Sequence, residues 1–165
     1  MQLIRLFRHL ILPHWWVQRS FSKSALGAIE QAISTSEQSH RGELRFVVEA
    51  SLPMHYLLRN LSPRERAIEL FSELRVWDTE DNSGVLIYLQ LIDRRVEILA
   101  DRGIHAKVGQ DFWDQICRRM ESAFQSGQFG EGTQTALNEI TQALSAHFPS
   151  RGSNPNELPD KPLLL

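Results

Sequence analysis

Apolar and polar positions divide the chain into short dense runs and longer stripes at helical spacing. The run Gly84–Leu91 (GVLIYLQL) is rich in β-branched and aromatic residues and too short for a typical helix, which predicts a buried strand. Val96–Ala100 is a second, alternating run, and the short, largely polar Ile92-Asp93-Arg94-Arg95 between them is expected to close a hairpin centred on Asp93-Arg94. Glu43–Ala50 predicts a further strand with Leu44, Phe46 and Val48 on one face, ended before Pro53. Four stripes predict helices. In Ser24–Ser39 the stripe is Ala25, Leu26, Ile29, Ala32 and Ile33. Ser62-Pro63-Arg64-Glu65 opens the next as a capping box with proline at the first helical position, and its stripe is Ala67, Ile68, Phe71 and Leu74. A third starts at Gln110 or Asp111, turns Phe112, Trp113, Ile116, Cys117, Met120 and Phe124 inward, and has Gly127 just past its end. The last runs from about Gly132 to Phe148 on Ala136, Leu137, Ile140, Ala143 and Leu144, and Pro149 stops it.

Strand, crossover helix and strand make a βαβ unit, so the first two strands should be parallel, with the Val96 strand added antiparallel. The fold class expected is α/β, with a small mixed central sheet. A chain of 165 residues supports one domain. The segments expected are a basic aromatic arm (1–22), an α/β domain (23–149) and a disordered tail (150–165) dominated by Pro, Ser, Asn and Gly.

Charge changes this picture at one end. The net charge of −2 gives no pull toward nucleic acid, yet Met1–Gly27 carries Arg5, Arg8, Arg19 and Lys23 and no acid. The apolar stretch there falls far short of the roughly 20 residues that span a bilayer, and it lacks the apolar core and cleavage site of a secretory signal. Two readings stand open for the arm. It packs on the domain or mediates self-association, or it makes peripheral membrane or protein-partner contact through Arg5, Arg8, Trp15 and Trp16. The expected location is the cytoplasm, extending to the inner membrane surface under the second reading. The single cysteine, Cys117, lies on a helical apolar stripe and reads as a small core residue.

The hairpin also brings chemistry together. Antiparallel pairing sets the segment entering the first of its strands, Asp78-Thr79-Glu80-Asp81-Asn82, beside Asp101-Arg102-Gly103 leaving the second. Asp78, Glu80, Asp81 and Asp101 thereby meet at one rim of the sheet, the candidate site. Several carboxylates suit a hard cation, Ca²⁺ or Mg²⁺. Asp78, Glu80 and Asn82 alternate as in a calcium loop, but Ser83 stands where that loop needs glycine and Leu89 where it needs glutamate, so an EF-hand is excluded. The competing reading is a solvated acidic loop, with Asp111 as a helix N-terminal charge. His105 lies close to the rim, and Trp77 is expected to anchor the loop to the core. No GxxxxGK[ST], GxGxxG after a strand, HExxH, CxxC or GxSxG occurs, which removes support for the common nucleotide, zinc and serine-hydrolase sites.

Several stretches in order resemble the TPM domain, a family that includes a thylakoid lumen phosphatase-like protein and many bacterial proteins. They are Ala67–Phe71, Trp77-Asp78-Thr79, Asn82–Tyr88, Val96–Ile104, Asp111-Phe112-Trp113 and Leu144–Pro149. The resemblance, particularly to small stand-alone bacterial members, implies a three-layer α/β/α sandwich. It also implies cation ligation through Asp78, Asp81, Asp101 and Asp111. The expected function is a divalent-cation-binding interaction module, the alternative a metal-assisted phosphatase acting on phosphomonoesters with Arg102 as its one evident clamp.

Overall fold

The computed structural model describes residues 2–11, 20–152 and 155–165. Its elements are α1 (Gln2–Ile11), α2 (Lys23–Glu37), β1 (Leu44–Glu49), α3 (Met54–Leu58), α4 (Pro63–Glu73), β2 (Val85–Gln90), β3 (Arg95–Ala100), α5 (Arg102–Val108), α6 (Gln110–Gln125), α7 (Phe129–His147) and β4 (Leu163–Leu164). The strands form one mixed sheet in the order β3-β2-β1-β4. β1 and β2 are parallel, Leu44 opposite Val85, and β2 and β3 antiparallel, Val85 opposite Ala100. The connection from β1 to β2 carries α4, as the βαβ pattern requires.

Helices cover both faces, which is why β1 and β2 are buried at every position; β2 reads as a nearly continuous apolar run, while β1 also buries Arg45 and Glu49. On one face Phe46, Val48, Ile87 and Ile98 pack against Ile33 of α2, Trp113 and Ile116 of α6, and Ile140 of α7. Val47, Leu86 and Tyr88 face the other way, onto Ala67 and Leu70 of α4, Val76 and Leu158. The molecule is thus an α/β/α sandwich with a larger and a smaller core.

The capping box forms as expected: Glu65 N–H donates to Ser62 Oγ and Ser62 N–H to Glu65 Oε2. The inward stripe of α4 shifts, however. Leu70 is buried beside Ala67, whereas Ile68 is 53% exposed. The loop anchor shifts too, because Val76 fills the interior while Trp77 is 51% exposed. The hairpin pairs Gln90 with Arg95, centring its turn one residue earlier than the sequence predicted, and Arg94 takes a left-handed φ of 53° there. On the outer side of β3, Val96 N–H donates to Glu121 Oε1 and Ile98 O accepts from Arg64 Nη1, so charged side chains blunt that edge.

The C-terminal end carries the largest difference from expectation, whereas α1 packs on the domain, as one of the two readings of the arm has it. The tail is not disordered over 155–165: β4 lies parallel to β1, Leu165 N–H donates to Val48 O, and Leu158 is buried. Arg45 Nη1 donates to the carbonyls of Pro159 and Lys161 at 2.7 and 2.6 Å. At the other end α1 is held by the hairpin. Arg5 pairs with Asp93 at 2.7 Å, and Arg8 donates to Ile92 O. Phe21, placed in the arm by sequence, is a core residue edge-on to Phe46 and Phe129. Trp15 and Trp16 lie outside the described residues, among which no helix is long and apolar enough to cross a membrane.

Candidate functional site

The strand register builds the rim. Asp101 N–H donates to Gly84 O at 2.8 Å, which joins the end of β3 to the start of β2. Two glycines let the backbones close in. A Cβ on Gly84 would stand 2.0 Å from Val76 O, and one on Gly103 would stand 2.5 Å from Asn82 O and 2.8 Å from Asp81 O. Asn82, at a φ of 52° that asparagine tolerates, accepts the Gly103 and Ile104 N–H groups on its carbonyl. Arg102 Nε donates to Asn82 Oδ1 at 3.1 Å. Thr79 and Ser83 hold the loop from inside, with Ser83 N–H donating to Thr79 Oγ1 and Ser83 Oγ to Arg41 O.

Loop and turn therefore meet, but their carboxylates do different things. Asp101 is 8% exposed; its Oδ1 accepts the Arg102 N–H at 2.7 Å and so caps α5. Its Oδ2 is buried without a partner among the described residues. Asp81 is paired with Arg41. Asp78 and Glu80 stand in solvent, and Asp111 is exposed in the first turn of α6. Among the described residues, no three His, Cys, Asp or Glu side chains converge as a metal-ligand group. His105 lies half-buried in α5.

Arg41 escaped sequence reasoning, although it lies just before the strand whose Leu44 pairs with Val85, and its carbonyl accepts a hydrogen bond from Ser83 Oγ. A second acidic group was missed altogether because the tail supplies half of it. Glu43 Oε2 accepts Leu158 N–H at 3.0 Å, and Glu37 Oε1 accepts Leu44 N–H at 3.0 Å. Burial pushes the Glu37 carboxyl up to about 8 and that of Glu43 to about 7, and Asp160 adds to both shifts.

Similarity to other proteins agrees with this architecture. No curated protein matches the sequence significantly. The solution structure of the BA42 protein from the psychrophilic bacterium Bizionia argentinensis is 28% identical, covers 88% of this chain and 95% of its own, and superposes with a TM-score of 0.76. The N-terminal domain of a P. gingivalis protein, 20% identical over 85% of this chain and 92% of its own, shares the fold at a TM-score of 0.63. The TPM domain family matches residues 18–143, which span the sandwich from Phe21 through most of α7 and include the whole rim. On that match, the chain belongs to the TPM domain family.

Proposed function

We propose that the rim binds a divalent cation, Ca²⁺ or Mg²⁺, and that the chain serves as a cation-responsive interaction module. The observation that carries this reading is the buried, unpartnered Oδ2 of Asp101. A carboxylate oxygen held out of water without a donor is unfavourable, and a cation removes that penalty. Asp101 would hold the ion with the Asp81 carboxylate, which its half-buried partner Arg41, also bonded to Pro149 O, would have to release. The exposed Asp78 and Glu80 add negative potential that raises the local cation concentration. The ion would fix the loop against α5, giving a protein partner a surface whose shape depends on the cation.

Phosphomonoester hydrolysis is the second reading. A cleft of about 290 Å³ beside the rim is lined by Arg64, Arg102, His105 and Trp113 and by no carboxylate. The terminal nitrogens of Arg102 have no partner among the described residues, so a guanidinium is available to a phosphoryl group. Steady-state assays on a phosphomonoester panel with and without Mg²⁺ test it, and absence of turnover removes it. The cation reading is tested by Ca²⁺ and Mg²⁺ titration of the labelled chain, in which Asp101→Asn should weaken any response of the Asp81–Gly84 amides about tenfold or more.

A further inference from the structure

The sheet ends on a strand that the chain supplies from its last residues. β4 is only two residues long, and its neighbour β1 would otherwise present an open edge. What holds this strap in place is mostly not the strand. Arg45 grips it at Pro159 O and Lys161 O, Leu158 plugs the smaller core, and Glu43 accepts the Leu158 N–H. Around that last contact four carboxyl groups gather. Glu37 comes from the end of α2, Glu43 from the entry to β1, and Glu157 and Asp160 from the strap itself. Arg45 from β1 is the cation facing this segment.

The packing of these acids demands protons. Glu43 is fully buried, and its Oε1 has no partner among the described residues. Glu37 is 8% exposed, its Oε1 accepts the Leu44 N–H, and it lines one cleft with Asp160 of the strap, so two carboxyl groups share that space. Ionising both body carboxyls would leave like charges on the strap and on the surface beneath it, against the Arg45 guanidinium and Lys161 of the strap.

We propose that residues 157–165 are a detachable strap on the edge of β1, latched by the carboxyl cluster Glu37, Glu43, Glu157 and Asp160, and that loss of protons from this cluster releases it. Burial sets the working range, since Glu43 is pushed up to about 7 and Glu37 to about 8. The strap is closed in mildly acidic solution and loosens through neutral to mildly alkaline solution. Release uncovers Val47 and Val48 along the β1 edge, a site for an extended strand.

Amide exchange on the full chain, expressed as protection relative to the unstructured peptide, tests the latch. Between about pH 6 and about pH 9, protection at Leu158 and Leu165 should fall about tenfold or more and end well below that of Ile87 in β2, which follows global unfolding. Glu37→Gln with Glu43→Gln keeps an acceptor for each amide and removes the titration, so the strap should stay protected throughout. Glu157→Gln with Asp160→Asn, on more exposed positions that pose little risk to folding, should move the release to higher pH. Flat protection in the native chain overturns the proposal. So does an unaltered loss in either double variant.

Discussion

His9 Nε2 donates to Asp93 Oδ1 across 3.1 Å, and the Leu52 N–H that donates to His9 Nδ1 fixes the ring proton on Nε2. One carboxylate thereby ties α1 to the hairpin, because Arg5 bonds its other oxygen. Burial pushes Asp93 up, but the hydrogen bonds from His9 and Arg5 outweigh it and hold the carboxyl below its ordinary value. Asp93→Ala should lower stability by about 1–3 kcal/mol and raise amide exchange across Gln2–Ile11. The contribution is present above the ordinary aspartate value and lost on acidification through the lowered one. Hydrogen-exchange mass spectrometry on both proteins checks this.

Two buried groups set opposing pH slopes on global stability. Burial lowers His40 from 6.5 to about 4, so its contribution is complete above 6.5 and fades as pH falls toward 4. Glu37 and Glu43 are raised from 4.5 to about 8 and about 7, so theirs is complete below 4.5 and fades as pH rises through those values. The slopes compete between 4.5 and 6.5, and above 6.5 only the glutamates act. Urea unfolding should therefore show stability falling by about 1–4 kcal/mol from mildly acidic to mildly alkaline solution, and Glu43→Gln should flatten the fall.

Gly84 at the rim and Gly27 in α2 should respond oppositely to alanine. Gly84→Ala drives a methyl into Val76 O and should cost about 1–3 kcal/mol or more. Gly27 in α2 meets nothing within 4 Å, so Gly27→Ala should stabilise by about 0.5–1 kcal/mol. Thermal or urea melts of the two variants give the contrast directly.

Those melts would also probe how much the sequence reveals. Gly84 through Leu91 is legible because burial on both faces leaves an apolar run interrupted only by Gln90, and Ser62 through Glu65 because its cap is purely local. The resemblance carried by Val96–Ile104 supplied the family. Other features have no local signature. Leu158 and β4 sit in a stretch whose composition reads as a tail, and residues more than a hundred positions away, Glu43, Arg45 and Val48 among them, order it. For Arg5, Arg8 and His9 the sequence left packing and partner contact open, because their partners, Asp93 and Ile92, are known only once the hairpin is placed. At the rim, the meeting of the Asp81 loop with Asp101 was legible from strand pairing. The pairing of Asp81 with Arg41 and the orphaned oxygen of Asp101 are tertiary facts.

The strap makes a stability prediction independent of its titration. Leu158→Ala removes a buried side chain from the smaller core and should cost about 2–3 kcal/mol, with β4 amides exchanging first. A melt paired with exchange at Leu165 separates this from global weakening.

The most direct test of the cation reading is a two-dimensional NMR titration of the full chain with Ca²⁺ and then Mg²⁺, repeated on Asp101→Asn. The account predicts saturable shifts at Asp81–Gly84 and Asp101–Ile104, weakened about tenfold or more in the variant, with the rest of the spectrum still. Silence at millimolar cation, or shifts that Asp101→Asn leaves unchanged, would contradict it.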